Sequence, residues 1–156
     1  MTPEGKPRPG ASPRPYIRAP FNQVAGRFSP DTRWVAYQSD DSGRAEVYVQ
    51  SFPEPRIRIS TAGGRYPEWG PDGRELFYVS SDEKLMAVTL KVGTGSLEPS
   101  LPGELFQLPS GVTGLGPFEL APDGQRFLIP VVAGKVEPLS VIVNWPVLLK
   151  KGPAAR

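Results

Sequence analysis

"FSPDTRWVAY" (residues 28–37) places a large apolar residue two positions before a Pro-Asp pair and closes on a run of aromatic and β-branched residues. Two later stretches obey the same rule, "WGPDGRELFY" (69–78) and "LAPDGQRFLI" (120–129). Proline holds φ near its turn value, and an aspartate in a turn hydrogen-bonds its own backbone two residues on. Each stretch therefore reads as strand, turn, strand. The shared prolines, Pro30, Pro71 and Pro122, are separated by 41 and 51 residues. Downstream lie "EVYVQSF" (46–52), "KLMAVTL" (84–90) and "LSVIVNW" (139–145), which have the alternation of strands. The first two units add a fourth strand-like piece, "RIRIST" (56–61) and "GELFQL" (103–108).

A repeat of this length with four strands predicts a β-propeller blade. The expected fold is all-β, with blades of four antiparallel strands and about three blades, a partial or half propeller. Blade one covers 24–61, blade two 65–108 and an incomplete blade three 116–149. "RPYIRAP" reads as an orphan outer strand at 14–20, residues 1–13 as a flexible basic Pro-rich segment, and 150–156 as a basic tail. Asp72-Gly73 and Asp123-Gly124 suit two-residue hairpin connectors, because glycine accepts positive φ. Thr32 stands where those glycines stand and predicts a different turn or local strain. The longer second spacing is absorbed by "KVGTGSLEPS" (91–100) and "PSGVTGLGP" (109–117), both read as loops.

Composition narrows the chemistry. The 156 residues include 20 prolines and 17 glycines but no histidine and no cysteine. Ser-His-Asp triads, thiol nucleophiles, disulfides and His/Cys zinc sites are excluded. The net charge of +2 resides in the ends: residues 1–20 and 150–156 hold seven of the 18 basic residues and one of the 16 acids, leaving 11 basic and 15 acidic residues in the body. An acidic body argues against nucleic acid as a partner. The opening residues lack a signal-peptide core, and no apolar run reaches membrane-helix length. The chain as written is expected in the cytoplasm, or outside it if it belongs to a larger membrane-tethered parent.

The first two Pro-Asp segments with the strands that follow them, residues 28–52 and 69–88, together with "LSVIVNW", resemble the WD-like, TolB-type propeller repeats, and most closely the propeller that forms the C-terminal portion of many bacterial serine/threonine protein kinases. The similarity covers residues 14–150. It implies a propeller scaffold, and the family serves translocation, peptidase gating, sensing and scaffolding alike. The motifs of phosphoryl transfer are absent from the chain: no Gly-rich loop with a strand lysine, no His-Arg-Asp loop and no Asp-Phe-Gly. The expected function is a non-catalytic module binding or sensing a protein or peptide, with no cofactor. The alternatives are a detached regulatory propeller of such a kinase and a TolB-like translocation component.

Candidate site residues follow from position. Asp31, Asp72 and Asp123 recur, but turn formation explains them. Trp34, Tyr37, Trp69, Phe77, Tyr78, Phe127 and Trp145 occupy strand positions where blades pack, which favours core over a stacking platform. Arg27, Glu68 and Glu119 precede the apolar residue of each innermost strand and face the channel or the blade interfaces. Glu68 and Glu119 are weak candidates for an oxygen-ligand metal site, against the alternative that Arg27 and a glutamate bridge neighbouring blades. Asp40, Asp41 and Arg44 lie in the second link and are candidate rim contacts. Three blades do not close a ring. Either the chain is part of a longer one, or two copies pair head to tail in a six-bladed homodimer, each lending its 14–20 strand.

Overall fold

The computed structural model describes residue 12, residues 15–51, 55–93, 96–112 and 116–131, and the backbone of 140–143. The expected basic segment 1–13, save residue 12, the tail 150–156 and Trp145 lie outside the described residues. Among the described residues there are twelve β-strands and no helix, hence none able to cross a membrane.

Three antiparallel sheets follow one another along the chain. The first joins β1 (Gln23–Phe28), β2 (Trp34–Ser39), β3 (Glu46–Ser51) and β4 (Arg56–Arg58) in sequence order. The second runs β5 (Arg65–Trp69), β6 (Glu75–Val79) and β7 (Lys84–Val92), after which β7 is shared. Its first half pairs with β9 (Gly103–Gln107), the expected fourth strand, and its last residues with β8 (Leu97–Pro99). Residues 91–100 are therefore not a plain loop. β7 overruns the blade and folds back as a hairpin that buries Leu97 in the core. The third sheet holds β10 (Glu119–Leu120), β11 (Arg126–Ile129) and β12 (Ser140–Val143). The chain is thus an all-β fold of successive blades.

The Pro-Asp turns differ from the two-residue connectors predicted from sequence. Ser29, Gly70 and Ala121 donate their N–H to the carbonyls of Trp34, Glu75 and Arg126 at 2.8 Å, enclosing four residues. Proline has no N–H for the ladder, so it is drawn into the turn beside Asp. The third turn residue then takes the left-handed conformation: Gly73 at φ 71°, Gly124 at φ 68° and Thr32 at φ 60°. The strain anticipated at Thr32 is real, because a β-branched residue is crowded there. Asp31, Asp72 and Asp123 each accept the N–H of the residue two places on, at 3.1, 2.9 and 2.9 Å.

Blade packing follows strand alternation. Trp34, Ala36, Val47 and Val49 of blade one meet Trp69, Leu76, Tyr78, Val88 and Leu90 of blade two in one core cluster. The opposite face of blade two, Phe77, Val79, Leu85 and Ala87, meets Phe118, Phe127 and Ile129 of blade three in another. Phe127 takes Phe77, Phe106 and Phe118 edge-on, with centroids 5.1 to 6.1 Å apart. Of the aromatics weighed as core against a stacking platform, Trp34, Trp69, Phe77, Tyr78 and Phe127 lie buried in these two clusters. A turn seam reinforces the packing: Pro30 of blade one lies against Gly73 of blade two, and Pro71 of blade two against Gly124 of blade three.

The outward face of blade one is dressed differently. Tyr37 and Tyr48 stack at 5.9 Å, and the Arg56 guanidinium covers them, 3.7 Å above the Tyr48 ring centroid. Residues 15–22 form no strand, contrary to the orphan strand expected at 14–20. A strand needs a backbone neighbour, and Pro15 and Pro20 have no N–H to offer one. Tyr16 instead donates its hydroxyl to the Gln50 carbonyl of the chain's own blade one, at 3.2 Å.

Candidate functional site

The innermost strands β1 and β5 each carry an extra residue. Val24 pairs with Gln38 but Arg27 with Ala36, and Arg65 pairs with Val79 but Glu68 with Phe77. In both strands the bulge contains a non-glycine residue at φ 55°, Ala25 and Tyr66, which occupy equivalent places in the repeat. A bulge bends its strand and redirects the next side chains. Here it turns Arg27 and Glu68 toward one another across the blade boundary, with Nε of Arg27 3.0 Å from Oε2 of Glu68. Trp69, one residue on, donates its indole N–H to the Arg27 carbonyl at 3.1 Å. Blade three has Pro117 at the bulge position, and proline cannot take positive φ.

Beside this pair opens a cleft of about 630 Å³, lined by Arg27, Glu68, Phe118, Glu119, Leu120 and Leu128 among others. Arg27, Glu68 and Glu119, singled out from sequence, thus share one concavity. Glu119 is exposed, and among the described residues it has no ion-pair partner. The cleft offers a carboxylate, an Arg–Glu pair and apolar walls. Among the described residues no three carboxylates gather as metal ligands, and the Arg27 guanidinium beside Glu68 opposes a cation there.

The candidate rim residues of the second link are held by local bonds. Asp40 accepts from the Asn22 backbone at 2.9 Å and from its side-chain amide at 2.7 Å. Asp41 accepts from the Tyr48 hydroxyl at 2.9 Å and pairs with Arg56, and these bonds, that to Arg56 foremost, hold its carboxyl below the usual aspartate range. Arg44 reaches Glu46 at 2.7 Å and the Thr61 carbonyl at 2.9 Å. All three fasten loops to the blade.

Glu46 is the residue that sequence reasoning missed. It is fully buried, accepts both from Arg44 and from the Gly63 N–H at 3.1 Å, and accepts the Ser60 hydroxyl. A glutamate opening a predicted strand carries no sign of burial, and its donors come from residues two, 14 and 17 positions away. The bulges left as little trace, since neither Ala25 nor Tyr66 is a residue type that advertises positive φ.

No family model matches the chain, and no curated protein matches it in sequence. Among solved structures it is similar to TolB from Acinetobacter baumannii, with a TM-score of 0.52 and 17% identity, covering 85% of this chain and 31% of that one. A candidate TolB from Agrobacterium tumefaciens gives 0.53 and 17%, covering 85% and 48%. An oligogalacturonate lyase from Vibrio parahaemolyticus gives 0.52 and 15%, covering 73% and 31%. At such identities the likeness is one of fold, a TolB-like propeller. The chain spans less than half the length of each of these structures.

Proposed function

We propose that the chain is a non-catalytic propeller module that holds a protein or peptide segment in the inner-strand cleft. The observation that carries this reading is Glu119, a carboxylate beside Phe118, Leu120 and Leu128 in a cleft whose other acid, Glu68, is engaged by Arg27. Such a surface suits a segment presenting a lysine or arginine next to an apolar side chain, the charge meeting Glu119 and the apolar group the walls. Attachment to a kinase as its regulatory propeller, or a TolB-like part in translocation, would use the same binding role.

The test is an NMR titration of the isotope-labelled chain with short arginine-leucine peptides. Amide shifts concentrated at 118–120 and 128, and lost in Glu119→Gln, support the reading. No saturable shifts, or shifts indifferent to Glu119, overturn it.

A further inference from the structure

The repeat defines what a blade boundary requires, and the two ends of the row of blades carry halves of such a boundary. At each internal boundary the β2-type strand of one blade offers an apolar residue and the β1-type strand of the next answers it. Ala36 and Trp69 share the first core cluster, and Phe77 and Leu120 belong to the second. Ala36 and Phe77 are fully buried and Trp69 is 6% exposed. The remaining members of these two series are Leu128 and Phe28, and they are 39% and 66% exposed. Phe21 and Val24, also of the first blade's leading segment, are 47% and 51% exposed.

Charge follows the same order. Arg27 of blade one pairs with Glu68 of blade two. The equivalent residue of blade three is Glu119, which has no ion-pair partner among the described residues. A blade one placed after blade three would bring an arginine to that carboxylate.

We propose that the exposed face of blade one docks on blade three of a second copy of this chain, Phe28 against Leu128 and Arg27 against Glu119. Two such contacts close a six-bladed ring, within the range in which propellers close. The contact is made by blade faces. It needs no exchange of residues 14–20, whose Tyr16 is bonded to its own blade one. One feature loosens the joint. At the third seam Pro122 meets Thr32, where the other two boundaries present Gly73 and Gly124.

Light scattering on the full chain tests this independently of any peptide. A mass twice 16.9 kDa is expected. Leu128→Asp should raise the dimer Kd by ~30-fold or more and Glu119→Arg by about tenfold, with cooperative unfolding of each monomer retained. Thr32→Gly should tighten the dimer several-fold, which keeps the test open if Leu128→Asp fails to fold. A monomer mass from micromolar to near-millimolar concentration, open polymers, or a dimer indifferent to Leu128, Glu119 and Thr32 overturns the proposal. A second copy would cover Leu128 and engage Glu119, so it competes with the proposed peptide. The titration is therefore run below the concentration at which copies associate, and the peptide-binding reading fails separately, by the absence of shifts there.

Discussion

Replacing Glu46 by alanine tests whether one buried carboxylate holds the second link of blade one to the connector that leads into blade two. The carboxylate takes the Ser60 hydroxyl, which itself accepts the Val47 N–H at 2.8 Å, together with the Gly63 N–H and the Arg44 guanidinium. Without it, the Gly63 N–H and the Ser60 hydroxyl are left inside the protein without their acceptor, each at about 1–3 kcal/mol. Arg44 loses less, because its side chain is 56% exposed and regains water. The two groups together set an expected loss of ~3–5 kcal/mol. With a urea m-value of ~2 kcal/mol/M, the unfolding midpoint falls by ~2 M. Amide exchange of Gly63 should accelerate before global unfolding. A Glu46→Ala midpoint within ~0.3 M of the parent chain, with Gly63 exchange unchanged, would refute the reasoning.

The turn seam gives opposite expectations at equivalent sites. In Gly124→Ala the new Cβ lies 2.9 Å from Cγ of Pro71 and the backbone keeps φ 68°, so a loss of ~2 kcal/mol should appear in thermal or urea unfolding. Thr32→Gly removes side-chain crowding at φ 60° and should stabilise the monomer by ~0.5–1 kcal/mol, measured below the concentration at which copies associate. Burial, and then the charge of Glu46, push the Tyr78 hydroxyl well above its usual pKa of 10.0. The folded state therefore favours the neutral phenol, so its stabilising contribution is complete below pH 10 and is lost as the pH rises beyond it. Denaturation midpoints should fall steeply on the alkaline side, and Tyr78→Phe should flatten that fall.

Features that repeat could be read from the chain, and features made by partners distant in sequence could not. Pro30, Pro71 and Pro122 mark identical local events, and the apolar residues around them must face neighbouring blades, so blade number and strand order followed from spacing. The same spacing placed Arg27, Glu68 and Glu119 at equivalent positions, and the structure brings them to one cleft. Turn length was misjudged because Asp-Gly was weighed without the proline before it, whose missing N–H decides the geometry. The stretch expected as an orphan strand at 14–20 has no backbone neighbour in a single copy, and residues 15–20 form no strand there. β8 was hidden among glycines, since its pairing depends on β7 running past the end of its blade. Glu46 could not be found at all, because its burial is set by Ser60 and Gly63, far along the chain.

The Pro-on-glycine seam also sets how this architecture can change in length. Each unit carries a proline at the joint, and the second and third carry a hydrogen in place of a side chain for the unit before them. A whole unit added or removed leaves every remaining joint of the same kind, so duplication in steps of one blade preserves the fit. Thr32 marks the place where that interchangeability stops. The first unit can be followed by any copy of the others, but set after another unit it makes a looser joint, the same one expected where two copies meet.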